Sequence, residues 1–326
     1  MPGTNRAYWL HVLTPTHVGT GRGIGYIDLP VQRDKVTGWP LVPGSAFKGV
    51  WADAHRATAD NRKTDAKLRA AFGVADNDAN GTGSNSGALM PTDALPPQPQ
   101  PQPRQPRSNS GALMPTDARL VCLPVRSFRG TFAWVTSRMA LHLLHRDLAL
   151  AGFTDLPAVP EAPAITHAKA VLGKCLLKTD GPAPKVYLED LDFTLTDGGP
   201  PVAGWAAKLA GWVFPGKPDW QAVFTARFVV LPDEVFDFLT VTGTEVNTRV
   251  KIDDASKTVA DGQLWTEEAL PAETILCGLV ACDRVYGNAA ITREDLLTEY
   301  ATGEKPLQIG GKATVGKGRV RCVFTA

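Results

Sequence analysis

The chain has 326 residues, with 34 Lys and Arg against 33 Asp and Glu, so its net charge is only +1. No overall field attracts a nucleic acid, and any such site must come from local clustering of basic residues. The apolar content of 44% and charged content of 21% are those of an ordinary soluble globular protein. No signal peptide and no apolar run of about 20 residues is found, which predicts a cytoplasmic protein without a membrane partner. The five cysteines are odd in number and scattered, so we expect them to be reduced.

The first half of the chain predicts strands and helices in alternation. Residues 7–14 form a short run of strand formers, and a helix is expected over 46–71 with Ser45 as its N-cap. A strand at 118–125 precedes a helix at 138–151, which Thr136 or Ser137 caps. His142 and His145 lie one turn apart on this helix. Without an HExxH pattern, packing is the better interpretation than metal binding.

The second half is predicted mainly as strands. The apolar runs with strand character are residues 171–177, 186–195, 227–231, 275–282 and 320–324. Helices are expected at 232–239 and at 291–300, the second capped by Thr292. The alternation at 249–252 and the Asp261-Gly262 turn signal predict a long exposed β-hairpin within residues 242–274.

Residues 77–107 interrupt this pattern. The tract at 96–107 is built of Pro, Gln and Arg, favours solvated polyproline conformations and cannot form a core. The sequence SNSGALMPTDA occurs at 84–94 and again, identically, at 108–118. We interpret this as a local duplication, with a disordered insertion over 77–107 and the second copy leading into the strand at 118.

The glycine-rich stretch at 13–49 holds the first candidate site. Asp28 could position a divalent cation or assist deprotonation of a ribose 2′-hydroxyl, although a loop aspartate more often bonds backbone N–H groups. His17 considered alone is more consistent with packing. Lys48, near Ser45 at the start of a helix, fits either a phosphate site or a solvated surface lysine.

A second glycine-rich loop lies near the C-terminus. Residues 311–317 match the phosphate-loop pattern GxxxxGK, but Gly318 stands where Mg²⁺ needs Ser or Thr, and a strand follows instead of a helix. An ATPase is therefore disfavoured. Exposed glycine N–H groups together with Lys312 and Lys317 could still bind an RNA backbone. The alternative is a tight turn with solvated lysines.

Three segments together resemble the RAMP superfamily: LTPTHVGTGRGIGYIDLPVQRDKVTGWPLVPGSAFKGV (13–50), GALMPTDARLVCLPVRSFRGTFAWVTS (111–137) and IGGKATVGKGRVR (309–321). They are most similar to the repeated backbone subunit of type III-B (Cmr) CRISPR effector complexes. The resemblance implies an α+β fold over residues 1–326: a single RAMP domain with a ferredoxin-like (RRM-like) core, inserted subdomains and a protruding β-hairpin thumb at 242–274.

The resemblance also implies site residues and partners. Asp28 would be the catalytic residue and a ligand of Mg²⁺ or Mn²⁺, with His17 and Glu267 or Glu268 as auxiliary groups; of the two, Glu268 is preferred. The implied partners are the guide (CRISPR) RNA, target single-stranded RNA, further copies of the chain in a filament and other type III effector subunits. The implied guide-RNA contacts are Ser45, Lys48, Gly310, Gly311, Lys312, Gly316, Lys317, Gly318 and Arg319.

The predicted function is therefore that of a guide-RNA-binding backbone subunit, a divalent-cation-dependent endoribonuclease that cuts the paired target RNA at regular intervals. A non-catalytic RAMP scaffold that only binds the guide is the main alternative. A RAMP endonuclease that processes guide precursors is a third and less favoured interpretation.

Overall fold

The structure is a computed structural model that describes residues 5–21, 23, 26–55, 65–73, 110–252, 259–285 and 290–326, without the side chains of 259–262. The predicted insertion at 77–107 therefore lies outside the described residues.

The described part of the chain is mixed α and β, as predicted. Its strands are β1 (Asn5–Val12), β2 (Leu41–Val42), β3 (Leu113–Pro115), β4 (Ala118–Arg126), β5 (Phe132–Ser137), β6 (His167–Ala170), β7 (Lys185–Leu188), β8 (Leu191–Asp197), β9 (Phe228–Leu231), β10 (Glu245–Ile252), β11 (Val259–Ala269), β12 (Ile275–Cys282), β13 (Glu304–Gln308) and β14 (Arg319–Thr325). Its helices are α1 (Gly44–Ala54), α2 (Ala66–Phe72), α3 (Arg138–Leu150), α4 (Gly199–Val213), α5 (Pro218–Thr225), α6 (Asp233–Thr242) and α7 (Arg293–Tyr300).

One large sheet organises the molecule. Its strand order is β13-β14-β1-β12-β4-β5-β9-β6-β8-β7, with β2 on β4 and β3 on β12, and β1 lies between β12 and β14. Most neighbouring strands are antiparallel, whereas β5 pairs with β9 and β6 with β8 in parallel. Strands β10 and β11 form a separate two-stranded hairpin, and Leu29 adds a backbone bridge to Glu267 at its base.

Both faces of the sheet around β1 are covered, because successive side chains of a strand point to opposite faces. Tyr8 and Leu10 belong to a core cluster that includes the aromatic residues of α1 and α2. Ala7 and Trp9 belong to a second cluster that includes apolar residues of α3, α4 and α5. A fully buried side chain of this size contributes about 1.5–3 kcal/mol, so the two clusters fix β1 firmly.

The helix predicted over 46–71 is wrong as a single element. Helix α1 ends at Ala54, and α2 begins at Ala66 after a cap of its own, since the Asp65 side chain accepts hydrogen bonds from the N–H groups of Lys67 and Leu68. Ser45 is not the N-cap either, because α1 already begins at Gly44 after Pro43. The Gly44 N–H instead donates to Asp117 Oδ1 at 2.8 Å, so a distant carboxylate caps this helix.

Two strand predictions were also wrong in detail. The strand expected at 171–177 lies earlier, at β6, and residues 171–177 form turns. The run at 186–195 is two strands, β7 and β8, paired at Leu188 and Leu191. Helices α4 and α5 were not predicted at all. Both have proline in the first turn, Pro200 and Pro201 in α4 and Pro218 in α5. Proline usually indicates the end of a helix in a sequence, but it is well tolerated in a first helical turn.

Two of the predicted helix caps are confirmed. Ser137 caps α3 by accepting from the Ala140 N–H, and Thr292 caps α7 in a reciprocal capping box with Asp295. All five cysteines are buried and unpaired. None of the helices in the described part of the chain combines the length and the hydrophobicity of a membrane span.

Candidate functional site

Three separate segments meet at the base of the β10–β11 hairpin. The hairpin pairs from Glu245 opposite Ala269 out to Ile252 opposite Val259. Asp261 and Gly262 belong to β11, so the turn expected at these two residues is wrong. The other two segments are the glycine-rich loop after β1 and the loop between β13 and β14. Thr266, Glu267 and Glu268 of β11 lie where all three come together.

Thr266 holds Asp28. Its backbone N–H donates to Asp28 Oδ2 at 2.8 Å, and its hydroxyl lies 3.0 Å from the same oxygen. The hydroxyl also accepts from the Asp28 N–H at 3.0 Å and lies 2.9 Å from the Tyr26 carbonyl oxygen. Asp28 is solvent-exposed, and Tyr26 beside it is exposed as well. The carboxylate is therefore fixed on one side by the hairpin while it remains accessible on the surface.

Glu268 is a buried organiser of the first loop rather than a surface acid. Its Oε1 accepts from Arg33 Nη2 at 2.5 Å and from the Thr244 hydroxyl at 2.8 Å, and its Oε2 accepts from the Val31 N–H at 2.9 Å. These partners occupy both carboxylate oxygens. This geometry favours positioning of the loop over direct chemistry, and the catalytic role assigned to Glu268 from the sequence stays a prediction.

His17 is attached to the same strand. It is largely buried, and its Nδ1 lies 2.6 Å from the Glu268 carbonyl oxygen, which can only accept; Nδ1 is therefore the donor. In the neutral ring Nε2 then carries the lone pair. Nε2 faces Gly19, where a Cβ would lie 2.6 Å from it, so the imidazole fills the space that glycine leaves.

Glu267 points to the opposite side of β11 and is completely buried. Its Oε1 accepts from Arg249 Nε at 3.0 Å and from Lys317 Nζ at 2.6 Å, and its Oε2 accepts from Lys312 Nζ. Burial lowers the pKa of Lys312, and the charges of Lys317 and Arg249 lower it further. We call Arg249, Glu267, Lys312 and Lys317 the cation cluster.

The loop between β13 and β14 reaches this cluster through a tight backbone path. Gly310 has a φ of +81°. The backbone N–H of the next residue, Gly311, donates to the His17 carbonyl oxygen at 3.1 Å. A Cβ at Gly310 would lie 2.2 Å from that oxygen. Gly318 donates to the Pro15 carbonyl at 3.0 Å, and Arg319 donates to the Thr14 hydroxyl. These hydrogen bonds join residues 294 to 305 positions apart in the chain, so the two glycine-rich segments form one surface.

Ser45 and Lys48 lie on α1 and not on the hairpin. Helix α1 packs against β3 and β13. Ser45 is exposed and Lys48 half-buried. The structure thus brings Asp28, His17, Glu268 and the Gly310–Arg319 loop together at the hairpin base, whereas Ser45 and Lys48 belong to another part of the predicted guide surface.

The family model described as the RAMP superfamily matches residues 9–321. The chain belongs to the RAMP superfamily.

This RAMP protein is 28% identical over 313 residues to the CRISPR system Cmr endoribonuclease Cmr4 of Pyrococcus furiosus, covering 96% of this chain and 92% of the relative. The crystal structure of oligomeric Cmr4 from Pyrococcus furiosus superposes with a TM-score of 0.65 at 24% identity, over 98% of this chain and 97% of that one. A cryo-EM structure of the type III-B Cmr-beta complex bound to cognate target RNA contains a chain with a TM-score of 0.65 at 17% identity, over 98% and 96%. These structures confirm the α+β RAMP fold predicted from the sequence.

Sequence reasoning did not single out Thr266, Arg33 or Arg249 in this RAMP protein. Thr266 lies directly before the acidic pair that was noted, and strand alternation places it on the same side of β11 as Glu268, which could have indicated that both contact the first loop. Arg249 lay in the predicted hairpin, but nothing in the sequence pairs it with a carboxylate 18 positions away.

A divalent cation at Asp28 was tested against the residues around it. Mg²⁺ in proteins takes one or two carboxylates and completes its shell with water and substrate phosphates. Glu267 and Glu268 are already occupied by cations and N–H groups, and the described ranges of this RAMP protein contain no group of three His, Cys, Asp or Glu placed to hold a metal. The described residues do not by themselves form a metal site, so the Mg²⁺ or Mn²⁺ requirement stays a prediction.

Proposed function

We propose that this protein is the guide-RNA-binding backbone subunit of a type III-B CRISPR effector complex and that it cuts the paired target RNA at Asp28. The main support is the arrangement at the hairpin base. There the exposed Asp28 carboxylate is fixed by Thr266, the residue that directly precedes Glu267 of the cation cluster. The Cmr4 relative, described as an endoribonuclease, supports the activity, and the oligomeric Cmr4 structure supports the assembly of several copies.

Asp28 suits the role of a general base. In the proposed reaction it takes the proton of a ribose 2′-hydroxyl, whose oxygen attacks the neighbouring phosphorus. The P–O5′ bond breaks and the departing O5′ takes a proton from water, which leaves a 2′,3′-cyclic phosphate on one fragment and a 5′-hydroxyl on the other; Asp28 returns its proton to solvent. The two Thr266 donors fix the orientation of the carboxylate, so that it can face the 2′-hydroxyl. The sequence specificity comes from guide–target pairing.

The test is target-RNA cutting by the complex assembled with its guide and partner subunits. Asp28→Asn keeps the size of the side chain but cannot accept the proton, so we expect cutting to fall at least 100-fold, within the usual range for a lost general base. Asp34→Asn is the matched control, because Asp34 lies in the same loop and accepts hydrogen bonds from the Val36 and Thr37 N–H groups.

Guide content and complex assembly are measured on both variants. If Asp28→Asn cuts as fast as the parent while it carries the same guide, Asp28 is not the catalytic residue. If the parent complex leaves its target intact after prolonged incubation with Mg²⁺ and with Mn²⁺, the protein is a guide-binding scaffold instead. Cutting of repeat hairpins by the isolated subunit would indicate a guide-processing enzyme.

A further inference from the structure

The cation cluster contains more positive charge than Glu267 requires. A buried carboxylate needs a cation or hydrogen-bond donors to offset the loss of hydration, and one well-placed cation meets that need. Three cations surround Glu267, from two segments: Arg249 from the hairpin, and Lys312 and Lys317 from the β13–β14 loop. Burial lowers the pKa of Lys317, Arg249 lowers it further, and Glu245 acts in the opposite direction. With Glu245 counted beside Glu267, three cations face two carboxylates, so the cluster keeps an excess of positive charge.

The three cations are not equally accessible. The Lys317 side chain is only 6% exposed, and it serves as the inner counter-charge of Glu267. The Lys312 side chain is 27% exposed and that of Arg249 is 44% exposed, so these two form the outer edge of the cluster. The excess charge is thus presented to solvent by one group from the hairpin and one from the loop.

The outer pair has the donors that a phosphate needs. Arg249 contacts Glu267 through Nε, which leaves the two Nη groups of the guanidinium fork, the geometry that binds phosphate oxygens in bidentate fashion. Lys312 contacts Glu267 through one of the three directions of its ammonium group. Its Nζ also lies 5.8 Å from the centre of the Trp265 ring, which places an aromatic face beside the two cations, as is common where single-stranded nucleic acid binds.

The position along β11 connects this cluster to Asp28. Thr266, which holds Asp28, directly precedes Glu267, so the two side chains leave the strand from neighbouring residues. Leu29, next to Asp28, bridges to Glu267 through the backbone. The Asp28 loop and the cation cluster are therefore attached to the same stretch of β11, on its two opposite sides.

We propose that Arg249 and Lys312 form a binding site for one phosphodiester of RNA and that Glu267 is the positioning residue that holds the two cations at the required separation. The choice of an RNA phosphate rests on the proposed function. Glu267 acts through its partners and is assigned no contact with RNA.

Arg249→Gln and Lys312→Gln test the phosphate contact through the salt dependence of RNA affinity. For single strands each lost phosphate contact reduces the slope of log K against log salt by about 0.7. We expect that reduction, with weaker binding, in both variants. Arg119→Gln is the matched control, because Arg119 is 43% exposed and pairs with one carboxylate, Asp147, away from the hairpin. An unchanged slope in both test variants would overturn the phosphate site.

Two titrations assign the phosphate to a strand. Guide RNA is titrated first against the subunit with its partners, and target RNA is then titrated against the guide-loaded complex. A reduced slope in the first titration assigns the phosphate to the guide, and a reduced slope in the second assigns it to the target. Both titrations measure binding alone, so they report on this site even if the parent complex proves unable to cut.

Glu267→Gln separates positioning from simple charge balance by the sign of its effect. Removal of a negative charge from a basic cluster should tighten RNA binding if electrostatics alone decide. If Glu267 positions Arg249 and Lys312, the variant binds RNA more weakly, by about tenfold, despite the extra positive charge. Equal or tighter binding by Glu267→Gln would refute the positioning role.

A double variant controls for folding. Glu267→Gln with Lys317→Met removes the buried carboxylate together with its innermost cation, so unfolding temperature should recover relative to Glu267→Gln alone. We expect RNA affinity to remain low in the double variant, because Arg249 and Lys312 still lack their anchor. Recovery of affinity along with stability would show that Glu267 only balances Lys317, which contradicts the proposal.

Discussion

Gly310 and Gly316 provide a matched pair for testing how tightly the second loop is held against the first. Their φ angles are +81° and +82°, so alanine at either position has the same unfavourable left-handed backbone. Around Gly316 no atom lies within 4 Å of an added Cβ, whereas at Gly310 the added Cβ would lie 2.2 Å from the His17 carbonyl oxygen and 2.9 Å from its carbon. The difference between the two variants therefore isolates this contact.

The expected cost follows from these distances. Alanine in the left-handed region costs about 1–2 kcal/mol, and this is the whole loss expected for Gly316→Ala. Gly310→Ala must in addition push the loop away from His17 and break the Gly311 N–H bond to the His17 carbonyl, which adds about 1 kcal/mol for the bond and at least as much for the displaced packing. We expect a total of about 3–4 kcal/mol.

Chemical denaturation of both variants and the parent measures this difference directly as a shift of the midpoint at constant slope. The two variants should differ by about 2 kcal/mol, well beyond the usual scatter of about 0.5 kcal/mol for substitutions without a specific contact. Equal losses for Gly310→Ala and Gly316→Ala would show that the loops are not in contact as described. RNA affinity measured on the same samples should fall with Gly310→Ala, because the displaced loop carries Lys312.

Four further outcomes are expected. Thr266→Val removes the hydroxyl that lies 3.0 Å from Asp28 Oδ2, so the maximal cutting rate should fall about tenfold while target affinity is unchanged. The rate should recover in Thr266→Ser. Equal rates in the Thr266→Val and parent complexes would contradict a positioning role. Glu268→Ala leaves Arg33 without its carboxylate and should lower the free energy of unfolding by about 3 kcal/mol in denaturant titrations, against a smaller loss for Glu268→Gln. Thr292→Ala removes the capping box of α7 and should cost about 1 kcal/mol in the same titrations, without any change in cutting. Burial acts to raise the pKa of Glu304, but Lys217 and Arg321 hold it below its ordinary value of 4.5. Its ionised form therefore stabilises the fold above that pH, and the stability difference between the parent and Glu304→Gln should vanish as the pH falls through the folded-state pKa.

The sequence predicts the parts of this fold that depend on local pattern. The α3 and α7 caps at Ser137 and Thr292 follow from hydroxyl residues placed directly before a helical period, and β12 follows from an uninterrupted apolar run. The predicted N-cap of α1 is wrong because the residue that caps it, Asp117, lies 73 positions from Gly44 in the chain. No local sequence pattern connects the two.

The candidate site shows the same division. Asp28, His17 and the β13–β14 loop were proposed from glycine patterns and from resemblance to the RAMP superfamily, and the structure brings them to one place. The burial of Glu267 and Glu268 could not be foreseen, since adjacent acids in a polar stretch usually face solvent. Only tertiary pairing with Arg33, Arg249 and the two loop lysines makes their burial possible.

The alternation at Thr266, Glu267 and Glu268 limits how this protein can change over evolution. Adjacent carboxylates serve opposite sides of one strand, so the insertion or deletion of a single residue between Leu264 and Leu270 would exchange their partners and place each against the wrong segment. Further out, the hairpin already contains a register shift between Val250 and Ile252, so its pairing there accommodates an extra residue. We therefore expect natural variants to differ in length at the far end of the hairpin and to keep the spacing at its base, so that the reach of the hairpin can vary independently of the site beneath it.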